Sequence, residues 1–210
     1  MRSQPVVHVS EHHLQLFDSS KSLADSVSAF LIAGFKRDEP LLIVATPEHR
    51  ELLGKRLEQA GINLREAALA NRVTILDAAQ TLDKFMRQDT PNPAAFDEVV
   101  GTLVARLSNG KRVCIYGEMV DVLAAQGKYK AAHLLEVLWN RLGRREHFTL
   151  FCGYASGHFG DPKTAKALAD ICASHGHVHR KREDLLAEYL LDQHDPAADT
   201  AAGSGSASVS

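Results

Sequence analysis

Short apolar runs alternate along the chain with segments in which apolar residues recur every three or four positions. A continuous apolar run of about five residues is typical of a buried strand, and the wider spacing is typical of an amphipathic helix. The runs that predict strands are residues 41–45, 73–78, 112–116 and 148–154. The segments that predict helices are residues 22–35, 47–60, 79–86, 94–107, 119–126, 129–142, 162–174 and 183–191. Residues 175–179 fit either a short strand or a turn.

This alternation predicts an α/β fold with three layers, in which helices cover both faces of a mainly parallel sheet. We expect a flexible N-terminus at residues 1–7, a folded body at 8–193 and a disordered tail at 194–210, because the tail is rich in small and polar residues. In a parallel sheet, ligands bind at the carboxyl ends of the strands. The side chains directly after each apolar run are therefore the first candidates for a site.

The composition of the chain argues against several classes of function. The 210 residues include 24 basic and 26 acidic side chains, a net charge of −2 that argues against direct nucleic-acid binding. The one short basic cluster, residues 180–182, is interpreted as the solvated start of a helix. We expect neither a membrane span nor a signal peptide, because no apolar run is long enough. Three cysteines in apolar surroundings favour reduced thiols and a cytoplasmic location.

The loop after the first predicted strand is where an enzyme of this fold class that hydrolyses nucleotides would bind phosphate. A phosphate-binding loop of this fold class reads G-x-x-x-x-G-K-[ST], whereas residues 45–50 read Ala-Thr-Pro-Glu-His-Arg. Pro47 removes a backbone donor and Glu48 adds negative charge where phosphates would lie. The G-x-G-x-x-G pattern of dinucleotide sites is also absent from the sequence. We therefore expect neither ATP hydrolysis nor a bound cofactor.

Three single residues leave alternatives open. Glu118 follows a predicted buried strand, so it fits a ligand-binding carboxylate, a helix cap or an arginine partner equally well. Trp139 fits core packing or the lining of an apolar pocket. Cys152 lies within a predicted strand, where cysteine behaves as a small apolar residue, and no base stands near it in sequence to suggest a nucleophile.

A histidine tract near the end of the folded body raises the question of a metal. In an extended strand, His175, His177 and His179 would point to one side, and Cys172 lies one helical turn earlier. Zinc accepts such ligands, but histidine tracts are compositional evidence alone. The preferred interpretation is a solvated helix end without a metal, and these four residues stay weak candidates.

Several motifs together resemble one family. The chain opens with His12 followed by Gln15-Leu16-Phe17. The most specific pair is Tyr116-Gly117-Glu118-Met119-Val120 and Leu135-Glu136-Val137-Leu138-Trp139-Asn140. Further matching segments are residues 43–49, 75–78, 151–154 and 171–175. Over residues 12–179 the chain is similar to the MEDS domain, a sensory domain of methanogens and methylotrophs.

The resemblance implies a RecA/KaiC-like fold with a degraded phosphate-binding loop (Walker A motif). Glu118 would lie near the position of the catalytic glutamate of ATPase relatives, and Gly117 would replace their metal-binding aspartate. The family is associated with sensing small organic ligands in bacterial signal transduction, including two-component regulation, and in transcription regulation. Because the phosphate-binding loop is degraded, we expect a non-enzymatic domain, and no kinase or DNA-binding module is recognisable in this sequence. It would signal in trans to a sensor histidine kinase, a response regulator or another regulator, or by forming a homo-oligomer.

The expected ligand site combines the strand-end rule with this resemblance. The residues expected to contact the ligand are His49, Asp77, Glu118, Cys152 and Tyr154. The residues expected to support them are Thr46, Gly117, Trp139, Asn140 and His12. Two alternatives stay open: a nucleotide-binding protein of RecA/KaiC type, and a protein-interaction module that needs no ligand.

Overall fold

A computed structural model describes residues 10–179 and shows one six-stranded, fully parallel sheet. The strands in chain order are β1 (Glu11–Phe17), β2 (Leu41–Ala45), β3 (Val73–Asp77), β4 (Met86–Arg87), β5 (Thr90–Pro91), β6 (Val113–Gly117), β7 (Phe148–Ala155) and β8 (His177–His179). The sheet has the order β3-β2-β6-β7-β1-β8, and β4 and β5 form a separate antiparallel ribbon.

Helices cover both faces of the sheet, so the predicted three-layer α/β fold is confirmed. One face carries α1 (Ser20–Lys36), α2 (Pro47–Gln59) and α3 (Leu64–Leu69). The other carries α4 (Ala78–Phe85), α5 (Pro93–Phe96), α6 (Thr102–Ser108), α7 (Met119–Ala125), α8 (Tyr129–Gly143) and α9 (Ala165–Cys172). Within residues 10–179, no helix combines the length and apolar character needed to cross a bilayer.

The strands at the centre of the sheet explain the apolar runs in the sequence. All five residues of β2 and all five of β6 are buried, because each strand has a helical layer on both sides. Side chains alternate between the layers: Val113 and Ile115 pack against α4–α9, whereas Cys114 and Tyr116 pack against α1–α3. Each apolar run therefore supplies two hydrophobic cores at once.

Some elements differ from the sequence-based expectation. Strand β1 was not predicted, because its polar residues at 11–13 and 15 interrupt the apolar run. The predicted helix at 94–107 is divided by a π-helical turn at Asp97–Gly101. The helix expected at 162–174 begins as a 3-10 turn, Pro162–Thr164, before α9. The expected N-terminal segment 1–7, the basic cluster 180–182, the helix at 183–191 and the tail 194–210 lie outside the described residues.

The topology predicts a crevice between β2 and β6. These strands are neighbours, yet α2 leaves β2 towards one face of the sheet and α7 leaves β6 towards the other. A divergence of this kind opens a cleft at the carboxyl ends of the two strands, which is where open α/β sheets bind ligands. The first residues beyond these two strands therefore define the candidate site.

Candidate ligand site at the strand ends

Glu118 lies in this crevice and is 1% exposed. Its Oε2 accepts a hydrogen bond from the Thr46 backbone N–H at 2.7 Å. Its Oε1 faces His49 Nδ1 at 2.5 Å and accepts a hydrogen bond from the Tyr116 hydroxyl at 2.5 Å. Because a carboxylate only accepts, the hydrogen in the His49 contact belongs to Nδ1. Three donors therefore hold this buried carboxylate, as burial of a charged group requires.

The start of α2 is built to hold this carboxylate. Thr46 occupies the N-cap position, and Pro47 begins the helix with the φ angle that a first turn needs. The Glu118 carboxylate lies at that helix N-terminus, where the backbone dipoles favour negative charge. Glu118 itself occupies the N-cap position of α7, but its side chain makes no capping bond there. The capping and arginine-pairing alternatives are therefore not what the structure shows.

Tyr116 reaches Glu118 because the neighbouring strand leaves space for its ring. A Cβ atom at Gly153 would lie 3.0 Å from the Tyr116 hydroxyl oxygen. The glycine in β7 thus makes room for the phenol. Burial next to Glu118 raises the pKa of Tyr116 well above its usual value, so the hydroxyl keeps its hydrogen and donates it.

His49 presents a polar atom that is buried and unused. Its Nδ1 is bound to Glu118, but Nε2 has no hydrogen-bond partner among residues 10–179. The edge of Phe17 packs against the ring, with centroids 5.8 Å apart. The hydrogen bond to Glu118 raises the pKa of His49 and outweighs the opposite effect of burial. When the ring is protonated, it carries an N–H at Nε2 that lacks an acceptor, and a ligand oxygen would supply one.

A second carboxylate lies at the same edge of the sheet. The Asp121 side chain accepts a hydrogen bond from the Ala155 N–H at 2.9 Å, and its Oδ1 lies 3.3 Å from His158 Nε2. Burial raises the pKa of Asp121. Sequence reasoning gave Asp121 no role, and it included His158 only among the residues that follow the apolar run 148–154. The available signal for Asp121 was its place one helical turn after Glu118.

A separate polar cluster lies under the opposite face of the sheet, around Glu136 of α8. Tyr154 donates to Glu136 Oε1 at 2.7 Å, and the Cys152 thiol donates to Oε2 at 3.6 Å. His12 Nε2 lies 3.1 Å from Oε2, and His175 Nε2 lies 3.3 Å from Oε1. Burial raises the pKa of Cys152 and Tyr154 well above their usual values, and the Glu136 charge adds to it. Both side chains therefore act as donors to Glu136.

Comparison with protein families identifies the chain. The model of the family described as "MEthanogen/methylotroph, DcmR Sensory domain" matches residues 11–176. The chain belongs to the MEDS family. The predicted resemblance is thereby confirmed, and the coarse role of this MEDS domain is sensory or regulatory. A comparison with curated proteins found no match.

Among solved structures, this MEDS domain is similar to a KaiC-like protein from the hyperthermophilic archaeon Pyrococcus horikoshii OT3. The two share 14% sequence identity with a TM-score of 0.48. The match covers 71% of this chain and 65% of that one, so the MEDS chain spans less than two thirds of the length of that protein.

The structure brings some of the predicted site residues of the MEDS domain together in the crevice and places the others elsewhere. Thr46, His49, Gly117 and Glu118 meet in the crevice. At Gly117, an added Cβ would come no closer than 3.7 Å to another atom, so the crevice does not require glycine there. Asp77 has other partners: it caps α4 by accepting from the Gln80 N–H at 2.9 Å, and its other oxygen accepts from Arg50 at 2.9 Å.

The remaining predicted residues lie elsewhere in the MEDS domain. Cys152, Tyr154, His12 and Asn140 belong to the cluster around Glu136, together with the weak metal candidate His175. Trp139 packs in the core edge-on to Phe96 and Phe148, with centroids 5.3 and 5.9 Å away. Cys172 is buried in the same core. His177 and His179 lie on the exposed edge strand β8, against His13.

The His49–Glu118 pair predicts a pH-dependent contribution to stability. Because the folded-state pKa of His49 is raised, its contribution is complete below the unfolded-state value of about 6.5 and is lost as pH rises through the raised value. We expect the difference in unfolding free energy between wild type and His49→Gln to be constant below about pH 6.5 and to shrink as pH rises through the raised pKa of His49. Urea denaturation over a series of pH values measures it.

The partner variant provides the control for this prediction. Glu118 is the main source of the shift, and Glu48 and Asp121 add to it. In a Glu118→Gln background, the effect of His49→Gln should therefore vary much less with pH. An effect of His49→Gln that grows with pH, or that keeps its full pH dependence without Glu118, would contradict the assignment.

Proposed function

We propose that this MEDS domain senses a small organic molecule in the crevice between β2 and β6 and signals its presence to a partner protein without catalysing a reaction. Membership of the MEDS family supports the sensory role. The observation that carries the rest is His49, whose Nε2 is buried and unpartnered while its Nδ1 is held by Glu118.

The surroundings of His49 suggest the chemistry of the ligand. The protonated ring offers one N–H to an acceptor oxygen, and the aromatic edge of Phe17 offers an apolar contact. Glu118 and Asp121 line the same edge, and Glu48 lies at the first turn of α2. Three carboxylates disfavour a polyanion. The ligand class that fits is a short organic molecule with one oxygen acceptor, such as an alcohol, an aldehyde or a ketone.

The start of α2 argues against a nucleotide in this crevice. A phosphate group at a helix N-terminus needs several free backbone N–H groups. Here the Thr46 N–H already donates to Glu118, and Pro47 has none. The Glu48 side chain accepts a hydrogen bond from Ser20 at 2.9 Å and adds a negative charge to the same turn. These features favour a sensor over an ATPase.

The crevice also suggests how binding would be transmitted. The His49–Glu118 contact joins α2 on one face of the sheet to the start of α7 on the other. A ligand that bonds to Nε2 changes the partners of His49 and therefore favours one arrangement of the two helices over another. Such a ligand shifts the population only by its difference in affinity for the two arrangements. A sensor kinase, a response regulator or a second copy of the chain would read the shift.

The test uses thermal unfolding and isothermal titration calorimetry to measure the binding of defined probes. The probes are short-chain alcohols, aldehydes, ketones and carboxylic acids, together with ATP and Mg²⁺. At a concentration of about 100 Kd, a ligand stabilises the folded state by about 2.7 kcal/mol, which is readily measured as a rise in Tm. We expect at least one oxygen-bearing organic probe to raise the Tm of the wild type.

Matched variants locate the binding site. His49→Leu removes the unused N–H and Glu118→Gln removes its partner, so both should abolish the rise in Tm. Glu51→Gln changes a solvent-exposed carboxylate of the same helix and should leave the rise intact. The proposal fails if no organic probe binds, or if binding survives both crevice substitutions. Binding of ATP and Mg²⁺ that depends on Glu118 would assign a nucleotide site instead.

A further inference from the structure

The cluster around Glu136 brings together four side chains of the types that bind transition metals. His12 comes from β1, Glu136 from α8, Cys152 from β7, and His175 from the segment after α9. One nitrogen, oxygen or sulfur atom of each lies within 4.8 Å of those of the other three. The side chains of Glu136 and His175 are fully buried, and His12 is 7% exposed. Four distant parts of the chain thus converge on one interior point.

Four contacts within the cluster are close in length to the distances between ligands of a tetrahedral ion. His12 Nε2 lies 3.1 Å from Glu136 Oε2 and 3.3 Å from Cys152 Sγ. Cys152 Sγ lies 3.6 Å from Glu136 Oε2, and His175 Nε2 lies 3.3 Å from Glu136 Oε1. Ligands at 2.0–2.3 Å from a tetrahedral zinc ion are about 3.3–3.7 Å from one another. The atoms therefore need only small movements to share an ion.

Outer contacts aim both imidazoles at the centre of the cluster. His12 Nδ1 bonds to Asn140 Oδ1 at 2.9 Å, and Asn140 is oriented by its own donation to the Ser174 carbonyl at 2.7 Å. His175 Nδ1 donates to the Ile171 carbonyl at 2.8 Å. In the neutral imidazoles with hydrogen on Nδ1, each Nε2 would carry a lone pair pointing inward. Metal-binding histidines are held by the same kind of outer hydrogen bond.

One buried atom is left unsatisfied by the side chains alone. His175 Nε2 has no hydrogen-bond partner among residues 10–179, although it lies 3.3 Å from a Glu136 oxygen. A nitrogen lone pair and a carboxylate oxygen repel each other at that distance unless a positive charge lies between them. A divalent cation would satisfy both. With a carboxylate, a thiolate and two neutral imidazoles, the charges of the filled site also sum to zero.

We propose that His12, Glu136, Cys152 and His175 bind one Zn²⁺ ion as a closed, structural four-ligand site. Two nitrogens, one sulfur and one oxygen form a ligand set that suits zinc. The ion would join β1, β7, α8 and the segment before β8. Of the four weak candidates from the histidine tract, His175 belongs to the site. The other three, Cys172, His177 and His179, lie outside it.

The first measurement is the metal content of the full chain, expressed without an affinity tag and purified without chelators. Mass spectrometry of the metal content should find about one Zn²⁺ per chain, and chelation followed by added Zn²⁺ should restore it. X-ray absorption at the zinc edge should show one sulfur and three nitrogen or oxygen neighbours. This measurement uses the wild type alone, so it does not depend on whether a variant folds.

Substitutions then assign the ion to the cluster. Cys152→Ser and His175→Gln should weaken zinc binding by more than about tenfold. Cys114→Ser, a buried cysteine on the opposite face, and the double variant His177→Gln/His179→Gln should bind zinc as the wild type does. In the protein loaded with Co²⁺, the sulfur-to-metal charge-transfer band should disappear in Cys152→Ser and persist in Cys114→Ser.

Two results would overturn the proposal. The first is a wild type that stays free of zinc after reconstitution, which would make the cluster a hydrogen-bonded network of side chains. The second is zinc that lacks a sulfur neighbour or is lost in the His177→Gln/His179→Gln variant, which would place the ion at the exposed edge strand. Because these readouts involve no organic probe, they are independent of ligand binding in the crevice.

Discussion

Replacing Glu136 with leucine is expected to lower the free energy of unfolding by about 3–5 kcal/mol. Leucine keeps most of the volume but removes the acceptor of the Tyr154 hydroxyl and the group that faces both histidines. These polar groups would then be buried without partners. Urea denaturation in the presence of a chelator measures the effect without any contribution from a metal.

The control for this prediction is a glutamate on the surface. Glu58 is exposed on α2, so Glu58→Leu should change the free energy of unfolding by no more than about 0.5 kcal/mol. An equally small effect of Glu136→Leu would show that the buried cluster contributes little to stability. The same comparison with zinc present should give a larger loss for Glu136→Leu if the ion binds there.

Trp139→Ala is expected to cost about 3–5 kcal/mol of stability. The indole is 1% exposed and packs edge-on between Phe96 and Phe148, so alanine would leave a large cavity between α5, α8 and β7. Chemical denaturation measures the loss. In Trp139→Ala, the contribution of His49 to stability should keep the pH dependence that it has in the wild type. The reason is that the ring contacts described for Trp139 lie in the core and not in the crevice.

An exposed residue on the same helix provides the comparison. Leu134 is 43% exposed on α8, so Leu134→Ala should change stability by no more than about 0.5 kcal/mol. If Trp139→Ala cost as little as Leu134→Ala, the indole would not be a core residue. If Trp139→Ala removed the pH dependence of His49, the tryptophan would support Glu118, as the sequence analysis expected.

The central strands could be predicted because burial on both faces leaves an unbroken signal. In β2 and β6 every position faces one of two cores, so polar residues are excluded. Strand β1 also has a parallel neighbour on each side. However, His12 contacts Glu136, and His13 and Gln15 lie towards the other, more open face of the sheet. These polar side chains interrupt the pattern from which a strand is predicted.

The candidate site could be predicted only in part. Glu118 and His49 were found because strand ends on a parallel sheet converge whatever the strand order. Cys152 and Tyr154 also lie near a strand end, but their side chains point to the opposite face of the sheet. The strand order and the face to which a given strand residue points cannot be deduced from one sequence. Glu136 carried one local signal, a charge on the core face of α8, between buried Leu135 and Trp139.

The register of the sheet places the two polar clusters one rung apart. Gly117 of β6 pairs with Cys152 of β7. The backbone just before Glu118 is therefore paired with the backbone of Cys152, a member of the Glu136 cluster. Any change in backbone geometry at this rung is shared by both faces of the domain.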